Sequence, residues 1–335
     1  MISRKLLDAR WALKARSLAR SKRPILVGPW RSEVGFELLY WIPFLAHFAN
    51  TYGIDKNRLI AIGRGGSAAW YEAAGHADLF EFLPPEVVRS LSIQAAQQTG
   101  SVKQFDPEGW ERHVCALAAK SLGIASYDVL SPTWMYRLLA PFWDGHESLN
   151  WTDRYLLHRQ RFPQPKLPID LEKKLPESYI AMRWYSRPTW PMSESNTLWT
   201  RKLVEAISQH TPVILINSGF HADDHGDINL GSIPNTIRLS ELHPMQPIDN
   251  LTIQSGVIAR AQGYVGTYGG MAQGAMRWGV PTLALYQEFG QTSPMHLHLT
   301  QSLSLKSGVP FVATYPQAIE RLLPLLQSRT VSNAV

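Results

Sequence analysis

The chain has 335 residues, enough for two domains at roughly 100–200 residues each. Its composition, 45% hydrophobic and 18% charged with only 23 Gly and 23 Pro, excludes a disordered, collagenous or low-complexity protein. The formal net charge of +6 is concentrated in residues 1–23, which hold eight basic side chains and one acid against 25 basic and 26 acidic in the rest, so a nucleic-acid-binding body is not expected.

No apolar run reaches the roughly 18 residues of a membrane span, and none follows the basic residues as a signal peptide would require. A lone cysteine, Cys115, forms no intrachain disulfide and no zinc cluster, so nothing asks for an oxidising compartment and cytoplasmic residence is expected. Read as a helix, the basic arm 1–23 places Leu7, Trp11 and Leu18 on one face and Ile2, Leu6 and Leu13 on another. That split suits either a helix packed on the body or one resting on an anionic membrane at the inner face.

From residue 24 the pattern alternates between strand and helix. A short apolar run at 24–30 is ended by Gly28 and Pro29, and 43–52 reads as a helix with Pro43 in its first turn. A second strand at 58–63 runs into Arg64, Gly65 and Gly66, and 107–122 reads as a helix. The aromatic stretch 128–143 is left without an assignment. Residues 145–177 turn polar and carry Pro163, Pro165, Pro168 and Pro176, so 151–177 is read as a linker.

A second alternating series follows: strand 179–185, helix 195–210, strand 212–217, strand 236–239, helix 249–261, strand 264–267, helix 270–278, strand 282–286 and a terminal helix 316–328. Two βαβ series joined by a Pro-rich stretch predict an α/β protein with two Rossmann-like parallel-sheet domains facing a cleft, at 24–150 and 178–330. In such sheets ligands sit at the carboxyl ends of the strands.

The most informative segment is 265–285. A strand ends at Thr267, Gly269 and Gly270 permit close backbone approach, and a helix then starts with its N–H groups exposed. This is either a phosphate site built on a helix N-terminus or an ordinary strand–helix turn using Gly for packing. The segment resembles the donor-site turn of two-Rossmann (GT-B) glycosyltransferases, in particular the bacterial heptosyltransferase type, whose pattern is close to V-G-x-D-[ST]-G-x-x-H-x-A-x-x-x-G-x-P-x-x-x-L. Val265, Gly266, Gly270, Ala275, Gly279, Pro281 and Leu285 match it, while Tyr268, Gly269 and Gln273 replace the acid, the Ser/Thr and the His. The resemblance implies a donor site at Thr267, Tyr268, Gly269, Gly270, Met271 and Gln273.

Two more segments are similar to that family. Strand 179–185 leads into Ser186, Arg187 and a Trp190-Pro191 pair before a helix, with Arg183 and Arg187 placed to clamp a diphosphate or, alternatively, to pair with a carbonyl or an acid. After the first strand, Ser32, Glu33 and Val34 stand where the family has Gly-Asp-Val with the Asp as base. An inverting sugar transfer needs a carboxylate to accept the acceptor's hydroxyl proton, which makes Glu33, and Glu37 one turn on, the candidate bases; either could instead be an acid near a helix start.

The run 219–227 collects His221, Asp223, Asp224, His225 and Asp227, which suits a solvated turn or contacts to a base or ribose better than a cation site. Trp30, Trp41, Trp70, Trp134 and Trp143 could stack on sugar rings or form core. The resemblance thus implies a metal-independent glycosyltransferase, needing no cofactor beyond its nucleotide-sugar substrate, with a glycan or lipid-linked acceptor. A nucleotide-sugar epimerase or hydrolase on the same scaffold, or a non-catalytic nucleotide- or glycan-binding protein, are the alternatives.

Overall fold

In the computed structural model, residues 4–99, 104, 109–217 and 226–319 are described. Two compact units are present, one of residues 1–159 with 247–251 and one of 160–246 with 252–335.

The first unit is built on four parallel strands: β1 (Ile25–Val27), β2 (Leu59–Gly63), β3 (Gly75–Asp78) and β4 (Asp128–Leu130), in the order β3-β2-β1-β4. Apolar β1 and β2 are buried along their whole length, which is why they appear in the sequence as uninterrupted hydrophobic runs. On one face Leu26, Ile60 and Ile62 meet Val114, Cys115 and Ala118 of the helix Gly109–Ser121. Burial pushes the Cys115 thiol up to about 12, so it stays protonated and inert.

An aromatic cluster fills out this unit. Trp30 stacks on Trp41 (6.0 Å) and on Tyr136 (5.9 Å), and Trp41 stacks on Phe44. Trp30, Trp41 and Trp70 are buried, so the stacking surface allowed for them in the sequence is spent on core. The unassigned stretch 128–143 is β4 followed by the helix Thr133–Trp143, whose Tyr136, Leu139 and Phe142 are buried in the unit.

The basic arm is the helix Arg4–Arg20, docked on this unit. Trp11, Ala15 and Leu18 are buried, and the Trp11 ring lies 4.9 Å from Phe44 and 5.6 Å from Trp134. Asp8 accepts from Tyr155 Oη at 2.5 Å, and Arg58 donates to the Leu18 carbonyl at 2.9 Å.

The second unit has six parallel strands and a small antiparallel ribbon. The main sheet is β5 (Ile180–Arg183), β7 (Val213–Leu215), β9 (Thr236–Arg238), β10 (Gly263–Thr267), β11 (Thr282–Leu285) and β12 (Phe311–Thr314), and the ribbon pairs β6 (Tyr185–Ser186) with β8 (Gly226–Asp227). Across the sheet the order is β12-β11-β10-β5-β7-β9. Numbered within the unit this is 6-5-4-1-2-3, the doubly wound order of a Rossmann sheet, with the switch point between β5 and β10.

Two differences from the sequence reading have physical reasons. The run 179–185 is broken at Trp184, because Tyr185 leaves the main sheet for the ribbon. Strands β3 and β12, and the helices Pro85–Thr99 and Pro294–Ser307, escaped the reading: both strands are short edge strands with one neighbour, and β3 lacks a continuous apolar run. Of the terminal helix expected at 316–328, only a short turn Pro316–Ala318 and Ile319 are described, and the rest lies outside the described residues. Residues 151–177, read as a linker, pack closely: Trp151, Tyr155, Phe162 and Leu171 are buried.

Arg277, at the end of the helix Gly270–Arg277, is fully buried with its guanidinium 4.6 Å from the Phe162 ring centre, and none of its side-chain nitrogens has a hydrogen-bond partner among the described residues. Burial alone pulls its pKa down to about 10, which leaves it charged near neutrality. An unpaired buried charge is destabilising, and the ring face offsets only part of the lost hydration. Arg277→Met, which keeps the packed length, is therefore expected to raise stability by about 2 kcal/mol in denaturant unfolding. A lowered midpoint would mean that the guanidinium finds an acceptor in solution.

Candidate functional site

The carboxyl edge of the second sheet is where β5 and β10 diverge. Gly266 pairs with Arg183 across them, and a Cβ on Gly266 would lie 2.3 Å from the Arg183 carbonyl oxygen. Only glycine allows that approach. One residue on, Thr267 Oγ1 accepts from the Tyr185 backbone N–H at 3.2 Å, holding the entry to the ribbon against the end of β10.

Tyr268, Gly269 and Gly270 then turn the chain into the helix Gly270–Arg277. A Cβ on Gly269 would sit 2.1 Å from Tyr185 Oη and 2.5 Å from Arg187 Nη1. The volume that a Ser or Thr would take at this position is filled by a phenol and a guanidinium from the β5 side. Arg187 Nη1 donates to the Tyr268 carbonyl at 3.0 Å, which fixes the guanidinium over the turn. Gly269 offers no side chain to cap the helix, so its first-turn N–H groups can serve an anion.

Of the residues named from the sequence, Arg187, Thr267, Tyr268, Gly269, Gly270, Met271 and Gln273 thus meet at one turn. Met271 and Gln273 are buried on the first helical turn, and the Tyr268 hydroxyl is pushed up to about 12 by burial. Arg183 has a different setting. Its Nη1 donates to Gln254 Oε1 at 2.9 Å and its Nε lies 3.5 Å from Asp227 Oδ1, so it ties β5 to the ribbon and to the helix Asn250–Arg260. His221, Asp223 and Asp224 lie outside the described residues. Among the described residues no group of His, Cys, Asp and Glu is arranged to hold a metal ion. Tyr185 and Gln254 were not singled out in the sequence, since nothing local marks them, while Asp227, the last acid of the polar run 219–227, lies on β8.

In the first unit the loop after β1 is pinned from both sides. The Gly28 N–H donates to the Leu130 carbonyl and the Trp30 N–H to the Ile62 carbonyl, each at 3.1 Å. Gly28 has φ +121°, and a Cβ there would lie 2.7 Å from Ile62 O. Gln104 then locks the loop: its Oε1 accepts from the Arg31 N–H at 3.1 Å, while its Nε2 donates to the Pro29 carbonyl and to Glu111 Oε1.

This loop presents the two candidate carboxylates differently, correcting the expectation that they share a helical face. Glu33 is exposed and stands before the helix Val34–Phe36 in extended backbone (φ −62°, ψ 144°), which turns it off the helix. Glu37 opens a π-helical turn, Glu37–Trp41, and is fully buried. Its Oε1 accepts from Ser67 Oγ at 2.7 Å and from Tyr71 Oη at 2.6 Å. Oε2 has no hydrogen-bond partner among the described residues. Burial raises the Glu37 pKa to about 7, against the lowering effect of these two hydroxyls and of Arg64. Asp78, which accepts from the Gly66 N–H at 2.6 Å, is raised to about 6, also by burial. Glu37 thereby joins the loop after β1 to the glycine turn after β2, a connection that Ser67 and Tyr71 complete and that the sequence alone did not reveal.

No family model matches this chain, and no curated protein matches it. Among solved structures it is similar to the iron-containing dodecameric glycosyltransferase TibC from enterotoxigenic E. coli, at 12% identity and a TM-score of 0.40 over 78% of this chain. That match spans only 58% of the TibC chain. It is also similar to the E. coli heptosyltransferase WaaC with ADP, at 12% identity and a TM-score of 0.41 over 91% of this chain and 99% of that one. A third likeness is to a putative UDP-N-acetylglucosamine 2-epimerase from Listeria monocytogenes, at 13% identity and a TM-score of 0.38, covering 92% and 89% of the two chains. The fold assignment itself rests on the two parallel sheets and their strand order. Among the described residues no helix is long and apolar enough to cross a membrane.

The raised Glu37 pKa has a signed consequence. An acid that binds its proton more tightly in the fold than in the unfolded chain favours folding while protonated. That contribution is fully present below its ordinary value of 4.5 and is lost as pH rises through about 7. Glu37→Gln keeps an acceptor for Ser67 and Tyr71 and does not titrate. The stability of this variant relative to the parent should therefore increase between about pH 5 and pH 8 in thermal melts, with the Asp78 contribution cancelling. A difference independent of pH would show that Glu37 is ionised throughout.

Proposed function

We propose that the chain is a glycosyltransferase that moves a sugar from a nucleotide-sugar donor to a glycan or lipid-linked acceptor. The observation that carries this reading is the turn Thr267–Gly270 at the Rossmann switch point, where an uncapped helix start and the Arg187 guanidinium meet. The donor diphosphate rests on the first-turn N–H groups of the helix Gly270–Arg277, and Arg187 meets its charge. In this chain the guanidinium does the work that a Ser/Thr hydroxyl would do at Gly269, which accounts for that departure from the heptosyltransferase-like pattern.

In the first unit, exposed Glu33 accepts the proton of the attacking acceptor hydroxyl. The acceptor oxygen forms the new bond to the anomeric carbon, the bond from that carbon to the phosphate oxygen breaks, and the configuration inverts. The nucleoside diphosphate leaves with the electron pair, its charge met by Arg187 and the helix N-terminus without a metal ion. Glu37 holds the loop behind Glu33 in place. Similarity to the glycosyltransferases named above accords with this reading, as does the order of the three sequence segments.

A panel of radiolabelled nucleotide-sugars, offered with and without acceptor, tests it. Donor consumption only with acceptor supports transfer; consumption without acceptor would instead mean hydrolysis or epimerisation. With the active donor in hand, Glu33→Gln should lower turnover at least about 100-fold while leaving nucleotide affinity unchanged. If Glu37→Gln lowers turnover and Glu33→Gln does not, the base is Glu37.

A further inference from the structure

The helix Arg4–Arg20 has two faces with different fates. Its inner stripe, Trp11, Ala15 and Leu18, is buried, and the Arg58 bond to the Leu18 carbonyl keeps the helix from rolling. The opposite stripe is therefore held outward. It carries Leu6 and Leu13, two helical turns apart and 52% and 67% exposed. Lys5 and Arg16 border this stripe on one side and Arg10 on the other, with Arg20 two turns beyond Leu13, all four exposed. Asp8, the only acid in residues 1–23, points away and is taken up by Tyr155 and Arg154.

We propose that this outer face docks the protein on an anionic lipid surface. An apolar stripe bordered by cations is the pattern of a helix lying in a membrane interface: the leucines enter the headgroup boundary and the cations meet lipid phosphates and carboxylates. Charge complementarity favours this occupant, because the excess of basic residues lies in residues 1–23 while the remainder of the chain is nearly neutral. A nucleic acid would use the cations and leave the leucines without a role. Trp11, on the other face, is committed to the core and takes no part. This inference stands apart from the proposed activity and can fail independently of it.

Co-sedimentation of the full chain with vesicles tests the proposal. Binding is expected to vesicles of phosphatidylcholine with phosphatidylserine and not to phosphatidylcholine alone. It should weaken steeply as salt shortens the screening length from about 10 Å at 0.1 M to about 3 Å at 1 M. The triple variant R10Q/R16Q/R20Q should lower partitioning about 100-fold, near five-fold per cation. Leu6→Gln combined with Leu13→Gln should also lower it, and because none of these five positions is buried, near-ultraviolet circular dichroism should be unchanged. Equal binding to neutral vesicles, or anionic binding unmoved by either variant, would overturn the proposal. Binding to RNA in place of vesicles, insensitive to the leucine changes, would overturn it as well.

Discussion

The closest backbone approach at the proposed donor site is the one between Gly266 and Arg183, where a single methyl group would come within 2.3 Å of a carbonyl oxygen. That approach sets β5 directly beside β10 at the point where the Rossmann sheet changes winding direction. Everything at the turn follows from it. With the strands in this register, Thr267 can hold the Tyr185 backbone, and Tyr185 and Arg187 can lie over Gly269. The helix then begins at the carboxyl edge with no side-chain capping hydrogen bond at Gly269 among the described residues. A larger residue at Gly266 would act on the sheet, whereas one at Gly269 would act on the ligand surface.

The first unit solves a different problem by related means. Its loop after β1 is irregular backbone, which must satisfy its own polar groups or lose stability. Neighbouring strand ends satisfy it through the Leu130 and Ile62 carbonyls, and the Gln104 side chain supplies the remaining anchors. Glu37 adds a tie between two loops at the cost of burying a carboxyl whose second oxygen has no partner among the described residues. Burial, and not the two hydroxyl bonds, which act the other way, raises the proton affinity of Glu37, so the arrangement is most stable when that group is protonated. Glu33, four residues earlier, is exposed.

The strands that lie between two neighbours were legible in the sequence, as was the half-buried edge strand β9. β1, β2, β10 and β11 lie between neighbours and are buried throughout, so each shows an apolar run ending in Gly or a polar residue. The edge strands β3 and β12 pair on one side only, carry His76, Asp78 or Thr314, and look like loop. The glycine turn was legible as a candidate phosphate site, but the reason for Gly269 was not, because Arg187 lies 81 residues before Tyr268 and meets it only through the sheet. Glu33 and Glu37 could not be ranked for the same reason: Ser67 and Tyr71, which bury Glu37, belong to the turn after another strand. The two faces of the first helix were legible, and their assignment to core and solvent needed the aromatic partners of Trp11.

The central claim is that the turn Thr267–Gly270 binds the diphosphate of a nucleotide. Calorimetric titration with ADP, UDP, GDP and CMP, on the parent chain and on Gly269→Ala, tests this most directly. The added methyl would occupy the positions of Tyr185 Oη and Arg187 Nη1 and displace the guanidinium from the turn. At least one nucleoside diphosphate should bind the parent and lose at least about ten-fold in affinity in the variant, with circular dichroism unchanged. Unchanged affinity in a folded variant would contradict the account and place the nucleotide elsewhere.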